Sequence, residues 1–497
     1  MTRNPSRAFN FPPPQRSALR PGEIVVDLFA GGGGASEALK QAIGKDPELA
    51  YNHDADAIGM HAANHPLTAH HQEDIWHADP ARDVAGRPVG WLHASPDCTH
   101  FSQAKGGQPR NRKIRSLTWV VLKWAVRLAR VGCAPRIISL ENVRQILTWG
   151  PLVAKRCRKT GCVLKLDGTT AANGERVPVE QQQLIPDKRH TGRTWRHFVA
   201  ALRAAGYAVD WRLLTACDYG AGTSRERLFL LARRDGEPIR WPTRTHGPST
   251  ARPFITAADC LDFTLSCPSI FDRPRPLADA TLRRIARGVM RHVVESAEPY
   301  FITEFANASA GRIWSADEPL RTQCAGVKHA LVAAFLEQAN GGGPNGNPAR
   351  ARSAREPVSS ITATGSQQRL VTCTLSPESE AGALRAAAML INYYGNGTAL
   401  DLRDPLATIT TRDRLALVTV MVRGTPHVIV DIGLRMLRPH ELYRAQGFPI
   451  DYIHTHTANG RQLTISAQVR MVGNSVSPPP LRALVAENLD RGQTLAT

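Results

Sequence analysis

The chain has 497 residues, enough for two or three domains, and 42% of them are hydrophobic, which suits ordinary globular cores. Its 62 basic and 43 acidic residues leave a formal charge of +19, a balance that favours a polyanionic partner, of which nucleic acid is the commonest. No run of about 18 apolar residues occurs, and nine cysteines are scattered without a regular framework, which argues against a membrane-spanning chain and a disulfide-stapled secreted fold and favours a reducing compartment such as the cytoplasm.

Residues 1–22 carry Arg3, Arg7, Arg16 and Arg20 with five prolines and no acid, and read as a flexible basic arm without the apolar core of a signal peptide. From Glu23 short apolar strands alternate with amphipathic helices. "EIVVDLFAG" precedes "ASEALKQAIG", "ELAYNHD" precedes "ADAIGMHAANH", "HQEDIW" ends a third strand, and "GWLHASPD" is followed by the helical "LTWVVLKWAVRLARVG". "PRIISLENV", "YAVDWRLLTACDYG" and "RLFLLARR" add further strands, so residues 23–235 predict an α/β domain built on a doubly wound, mostly parallel sheet. A polar insertion over about 151–192 interrupts it; Cys157 and Cys162 there are one loose pair, too little by itself for a zinc site.

Residues 236–433 lack this alternation. "DEPLRTQCAGVKHALV", "REPVSSITATGSQQRLV" and "RDPLATITTRDRLALV" form a degenerate repeat, expected as three related β-hairpin units. In 434–497, "GLRMLRPHELYRAQGFP" predicts a short helix, and "AQVRMVGNSVSPPPLRALVAENL" a turn followed by a terminal helix that completes the first domain.

The glycine cluster after Asp27 suits the close approach of a nucleotide-like cofactor, although the Lys-Ser/Thr of a phosphate-binding P-loop is missing. Asn52, His53, Asp54 and Asp74 end the next two strands, where polar groups would suit a ribose and an adenine edge. Cys98 in "SPDCTHFSQ" and Glu141 in "ISLENVRQI" follow the fourth and fifth strands and should meet at the same rim. A thiol facing a carboxylate has a specific use: the nucleophile adds to an electron-poor ring while the acid protonates a ring nitrogen. Asp97 beside Cys98 disfavours a resting thiolate, so the thiol proton should leave as attack proceeds, and Asp97 should cap the following turn.

In order and content, "DLFAGGGG", "SPDCTHFS", "ENV", "TSRERLF", "RMLRPHELYRAQGFP" and "VGNSVSPP" resemble the motifs of the cytosine-C5 DNA methyltransferases of bacterial or phage type. The resemblance implies a class I, Rossmann-like domain with an inserted target-recognition domain at 236–433, S-adenosyl-L-methionine as methyl donor, and a monomer acting on a flipped cytosine in duplex DNA. It makes Cys98 the nucleophile at C6 and Glu141 the partner of N3 and the exocyclic amine, with Asn142 holding the loop and Arg225 and Arg227 orienting the base. The cofactor would be held by Asp27, Phe29, Gly31, Gly33, Gly34, Asn52, His53, Asp74, Ile75, Pro96, Asn474 and Ser475, with no metal. Several positions depart from the family: Asp97 where proline is common, Asn52 where a ribose-binding glutamate is usual, and Thr223 and Met471 where glutamines are. Alternatives are the same chemistry on tRNA, which the long β-rich segment disfavours, and a silent DNA-binding homologue, which retention of Cys98, Glu141 and both arginines disfavours.

Overall fold

The computed structural model describes residues 18–97, 101, 112–263, 265–290, 293, 301–304, 313–315, 329–338, 352–361, 368–376, 386, 419–422 and 425–489. Strand β1 (Ile24–Leu28) leads into α1 (Gly34–Ile43), β2 (Leu49–Asn52) into α2 (Ala55–Asn64), and β3 (Ala69–Gln72) into α3 (Pro80–Val84). From β4 (Val89–Ala94) the chain runs through α4 (Arg112–Ser116) and α5 (Trp119–Arg130) to β5 (Ile137–Asn142). A small antiparallel pair, β6 (Leu152–Ala154) and β7 (Leu184–Pro186), comes before α6 (Arg193–Ala204), β8 (Ala208–Thr215) and β9 (Glu226–Arg233).

The central sheet has the order β3-β2-β1-β4-β5-β9-β8. The first five strands in that order are parallel, and β9 pairs antiparallel with both neighbours, giving the doubly wound, mostly parallel sheet expected from the alternation. Every residue of β1, β4 and β5 is buried, as continuous apolar strands covered on both faces must be. Val26, Leu92, Ile138 and Leu140 face Trp124 of α5 and Phe198 of α6. On the other face Val25, Trp91, Ile137 and Phe229 pack with Leu39 of α1 and with Leu481, Leu484 and Val485 of the last helix, Pro478–Asn488.

The expected turn before that helix is a correction. Ile465–Asn474 is itself helical, N-capped by Thr464, whose side chain accepts from the Ala467 amide, and only residues 475–477 turn. Burial of Ala467, Gln468, Met471 and Val472 on one face stabilises the helix despite Gly473 near its end.

Strands Phe301–Glu304, Ile313–Ser315, His329–Gln338, Gln368–Ser376, Thr419–Val422 and Thr425–Met436 form a second, antiparallel sheet. Helix Asp279–Val289 covers it, with Leu282, Ile285 and Val289 against Phe335, Val371 and Ile432. Of the three repeat units, the third lies outside the described residues, as do parts of the first two. A further apolar cluster joins the two sheets, drawing in Met60 of α2, Val358, Leu370, Tyr443 and Met471. Beside it Arg435 and Glu441 form a buried two-point ion pair at 2.7 and 2.9 Å, and Glu441 also accepts from the Arg438 and Asp262 amides.

Removing only the carboxylate would strand a buried guanidinium. Glu441→Ala is expected to lower the unfolding free energy by about 3–5 kcal/mol, read from the urea midpoint; a loss below about 1 kcal/mol would show that the pair behaves like an exposed one.

Candidate active site

The carboxyl ends of the parallel strands surround a cavity of about 400 Å³. Parallel pairing sets this convergence, since register partners such as Leu28 with Ala94 and Ala94 with Leu140 bring the strand ends to one rim. Phe29 and Gly31 enter from the loop after β1, both with left-handed backbone at φ 64° and 55°. For a bulky residue such as Phe29 that conformation is strained, a cost usually found where a loop is held for binding.

Asn52, His53, Asp74, Ile75, Pro96 and Asn474 also line the cavity, which places eight of the twelve expected cofactor residues on its wall when Phe29 and Gly31 are counted. Asn52 Oδ1 accepts from the Asp54 amide at 2.9 Å, and Asp54 in turn caps α2 through the Ala57 amide. Asp74 Oδ1 accepts from the Trp76 amide at 3.0 Å. The other four lie behind the wall. Asp27 is completely buried and accepts from Ser36 Oγ at 2.7 Å, and the Ser475 carbonyl accepts from Arg225. Gly33 and Gly34 pack against the C-terminal region: a Cβ would come within 2.2 Å of the Tyr452 hydroxyl at the first and of the Val476 carbonyl at the second. These two glycines permit the closeness of protein to protein rather than of protein to ligand.

Sequence reasoning missed Tyr51, Glu73 and Arg470 on the same wall. Glu73 stood beside Asp74 in "HQEDIW"; Arg470 belongs to the helix read as a turn, and its guanidinium pairs with Asp54 and Asp56.

Glu141 and Arg225 close the inner side of the cavity. Glu141 is 7% exposed, and burial raises its pKa against the opposing pull of Arg227 and Arg225. Its Oε1 lies 3.2 Å from Arg227 Nε, but the two are not aligned for a hydrogen bond, and neither buried atom has another partner among the described residues. An unmatched acceptor and an unmatched donor side by side suit a planar ligand that carries both polarities on one edge. Arg225 donates to the carbonyls of Ile361, Gly473 and Ser475 at 2.9, 3.0 and 3.1 Å, so it fixes the wall. Asn142 Nδ2 donates to the Pro96 carbonyl at 3.0 Å, while its Oδ1 accepts from the Val143 amide. That bond anchors the loop after β4 up to Asp97, which is exposed on the cavity edge. Cys98 itself lies outside the described residues.

The family model described as C-5 cytosine-specific DNA methylase matches residues 24–150 and 184–282. The type II methyltransferase M.AgeI of Thalassovita gelatinovora is 27% identical over 227 residues, 45% of this chain and 42% of that protein. M.AquIA of Picosynechococcus sp. is 25% identical over 232 residues, 45% of this chain and 77% of its own length. The chain thus spans less than half of the first of these relatives. Among solved structures, the S. pombe Dnmt2 methyltransferase covers 93% of this chain and 96% of its own, at 14% identity and a TM-score of 0.46.

Burial pushes the Asp27 carboxyl from an ordinary 3.8 up to about 7. Because the folded chain holds this proton more tightly than the unfolded one, its stabilisation is complete below about pH 4 and lost as pH rises to about 7. Asp27→Asn stays neutral, so its stability relative to the wild type is expected to rise across that window, on the order of a few kcal/mol. Urea unfolding of both proteins from pH 4 to 8 measures the difference, and a constant difference would exclude Asp27 as the titrating group.

Proposed function

We propose that the chain, whose residues 24–150 and 184–282 match the model of the C-5 cytosine-specific DNA methylases, is a DNA (cytosine-5-)-methyltransferase acting on a specific duplex sequence. The observation that carries this reading is the Glu141–Arg227 pair, whose unmatched Oε1 and Nε sit beside the loop that leads to Cys98. A cytosine presents an amine, N3 and O2 along one edge. Glu141 would meet N3 and the amine, and Arg227 would donate to O2. The Cys98 sulfur would add to C6 as N3 takes a proton from Glu141, which moves electron density onto C5. The raised pKa of buried Glu141 favours the protonated form this step requires. After transfer, loss of the C5 proton and elimination of Cys98 restore the ring.

The cavity fits S-adenosylmethionine in size and lining: backbone at Phe29 and Gly31, polar ends at Asn52, Glu73 and Asp74, and apolar Ile75 beneath. When bound, that cofactor supplies an electrophilic methyl group from its sulfonium. Asn52 in place of a carboxylate leaves Glu73 as a charged acceptor for a ribose diol on the same wall. Since C5 and C6 are stacked within a duplex, the base has to be flipped out, and the +19 charge would serve phosphate contacts. Residues 236–433 would be the target-recognition domain of a monomeric cytoplasmic enzyme, with 23–235 and 434–497 forming the catalytic domain, and a role in restriction-modification follows from the same reading.

Labelled methyl should pass from S-adenosylmethionine to C5 in duplex DNA and not to tRNA. Cys98→Ser should abolish transfer and the covalent adduct, and Glu141→Gln should slow turnover by about 10²–10⁴-fold. Duplex binding without label on any substrate would instead mark a silent binding protein. Exchanging residues 300–420 for those of a related enzyme should transfer the sequence preference to the hybrid, and an unchanged preference would locate recognition elsewhere.

A further inference from the structure

The family match breaks between residues 150 and 184, so the polar insertion belongs to this chain and not to the shared domain. It is a built structure. Beyond β6 and β7, single bridges pair Arg156 with Val163, Leu164 with Thr170 and Lys165 with Gln182, all antiparallel. The first of these opens a tight hairpin, "RCRKTGCV", in which the Cys157 amide donates to the Cys162 carbonyl at 2.8 Å and the Gly161 amide returns to the Cys157 carbonyl at 2.9 Å. Gly161, at φ +73°, takes the left-handed conformation that closes the turn. The two cysteines therefore stand opposite each other across the hairpin. Facing residues of an antiparallel pair have Cα atoms about 4.5–5.5 Å apart, within the range of about 4.4–6.8 Å that a disulfide spans.

We propose that Cys157 and Cys162 form a peroxide-reactive dithiol site, with Cys157 as the attacking sulfur and Cys162 as the resolving one. Both thiols are free and partly exposed. Their surroundings are unequal in the sense the chemistry requires. Cys162 Sγ donates to the Thr160 carbonyl at 3.7 Å. Amide hydrogen bonds from Thr160 and Lys159, joined by the Thr160 and Thr170 side chains, lower the pKa of Cys157. Lys155, Arg156, Arg158 and Lys159 add positive charge along the same few residues.

Among the described residues, the group of three or more side chains able to hold a metal is His71, Glu73 and Asp83, so the cysteine pair gains no third ligand and dithiol chemistry is favoured over zinc. Cys217, Cys260 and Cys373 are buried, with pKa values raised by desolvation, to about 11 and about 12 for the first two. Those thiols are the inert kind.

The reaction balances without a cofactor. The Cys157 thiolate attacks one oxygen of hydrogen peroxide, the O–O bond breaks, and the hydroxide released takes a proton to become water. Cys162 sulfur then attacks the sulfenic acid sulfur at Cys157, the S–O bond breaks, and the hydroxyl leaves as water with the Cys162 proton. Two thiols lose two electrons in total, and one peroxide gains them.

The full chain is treated with stoichiometric hydrogen peroxide, alkylated, digested and mapped by mass spectrometry. The 157 and 162 peptides should appear joined, and thiol reductant should separate them. In untreated protein Cys157 should alkylate several-fold faster than Cys162. Cys162→Ser should leave Cys157 as a sulfenic acid that dimedone traps, whereas Cys157→Ser should yield no adduct at either position. Both cysteines remaining alkylatable after peroxide while Cys267 oxidises would overturn the proposal, as would a dimedone adduct on Cys162 in Cys157→Ser.

Discussion

One buried guanidinium holds the site together. Arg225, 3% exposed, immediately precedes β9 and donates to carbonyls of residues 361, 473 and 475, the first between strands His329–Gln338 and Gln368–Ser376 of the second sheet and the others at the end of helix Ile465–Asn474. Three stretches of chain more than a hundred residues apart are thereby fixed around one planar cation. A point charge on a flexible stem could not reach three carbonyls in one plane, which is why an arginine suits the position and a lysine would not. Neighbouring bonds continue the seam: Thr223 Oγ1 to the Ser359 carbonyl, and the Val358 and Gly222 backbones to each other. The cavity wall, the second sheet and the C-terminal helices are set by the same joint.

This arrangement also divides the electrostatic work. Arg225 commits both Nη groups to backbone carbonyls and adds positive charge near Glu141, while Arg227 approaches the carboxylate yet stays misaligned. Desolvation is the larger influence on Glu141, and the two cations only moderate it. A well-aligned two-point pair would have consumed both carboxylate oxygens, as it does at Arg435 and Glu441, where the result is a structural clamp. The same two residue types thus give a clamp where their geometry closes and a reactive pair where it does not.

The sheet was legible because burial on both faces writes itself as uninterrupted apolar strands, and polar residues at the strand ends mark the rim where ligands bind. The direction of β9 was not, since "RLFLLARR" reads alike in either sense. Helix Ile465–Asn474 was hidden by its own punctuation: Gly473, Asn474 and the three prolines that follow look like one long turn, and only tertiary burial of Met471 and Val472 extends the helix to them. With that helix went Arg470, and with Arg470 the ion pairs that anchor α2 beneath the cavity.

The glycine cluster shows how one motif serves two masters. Gly31 and the strained Phe29 face the cavity, but Gly33 and Gly34 face Tyr452 and Val476, where any side chain would collide with a hydroxyl and a backbone carbonyl. Tyr452 reinforces the contact by donating to the Gly32 carbonyl at 2.5 Å. A loop that would touch the cofactor on one side is therefore bolted to the end of the chain on the other. The shape of the cavity thus depends on residues beyond 450 having returned to the first strand, so the site cannot be complete until both ends of the described chain have met.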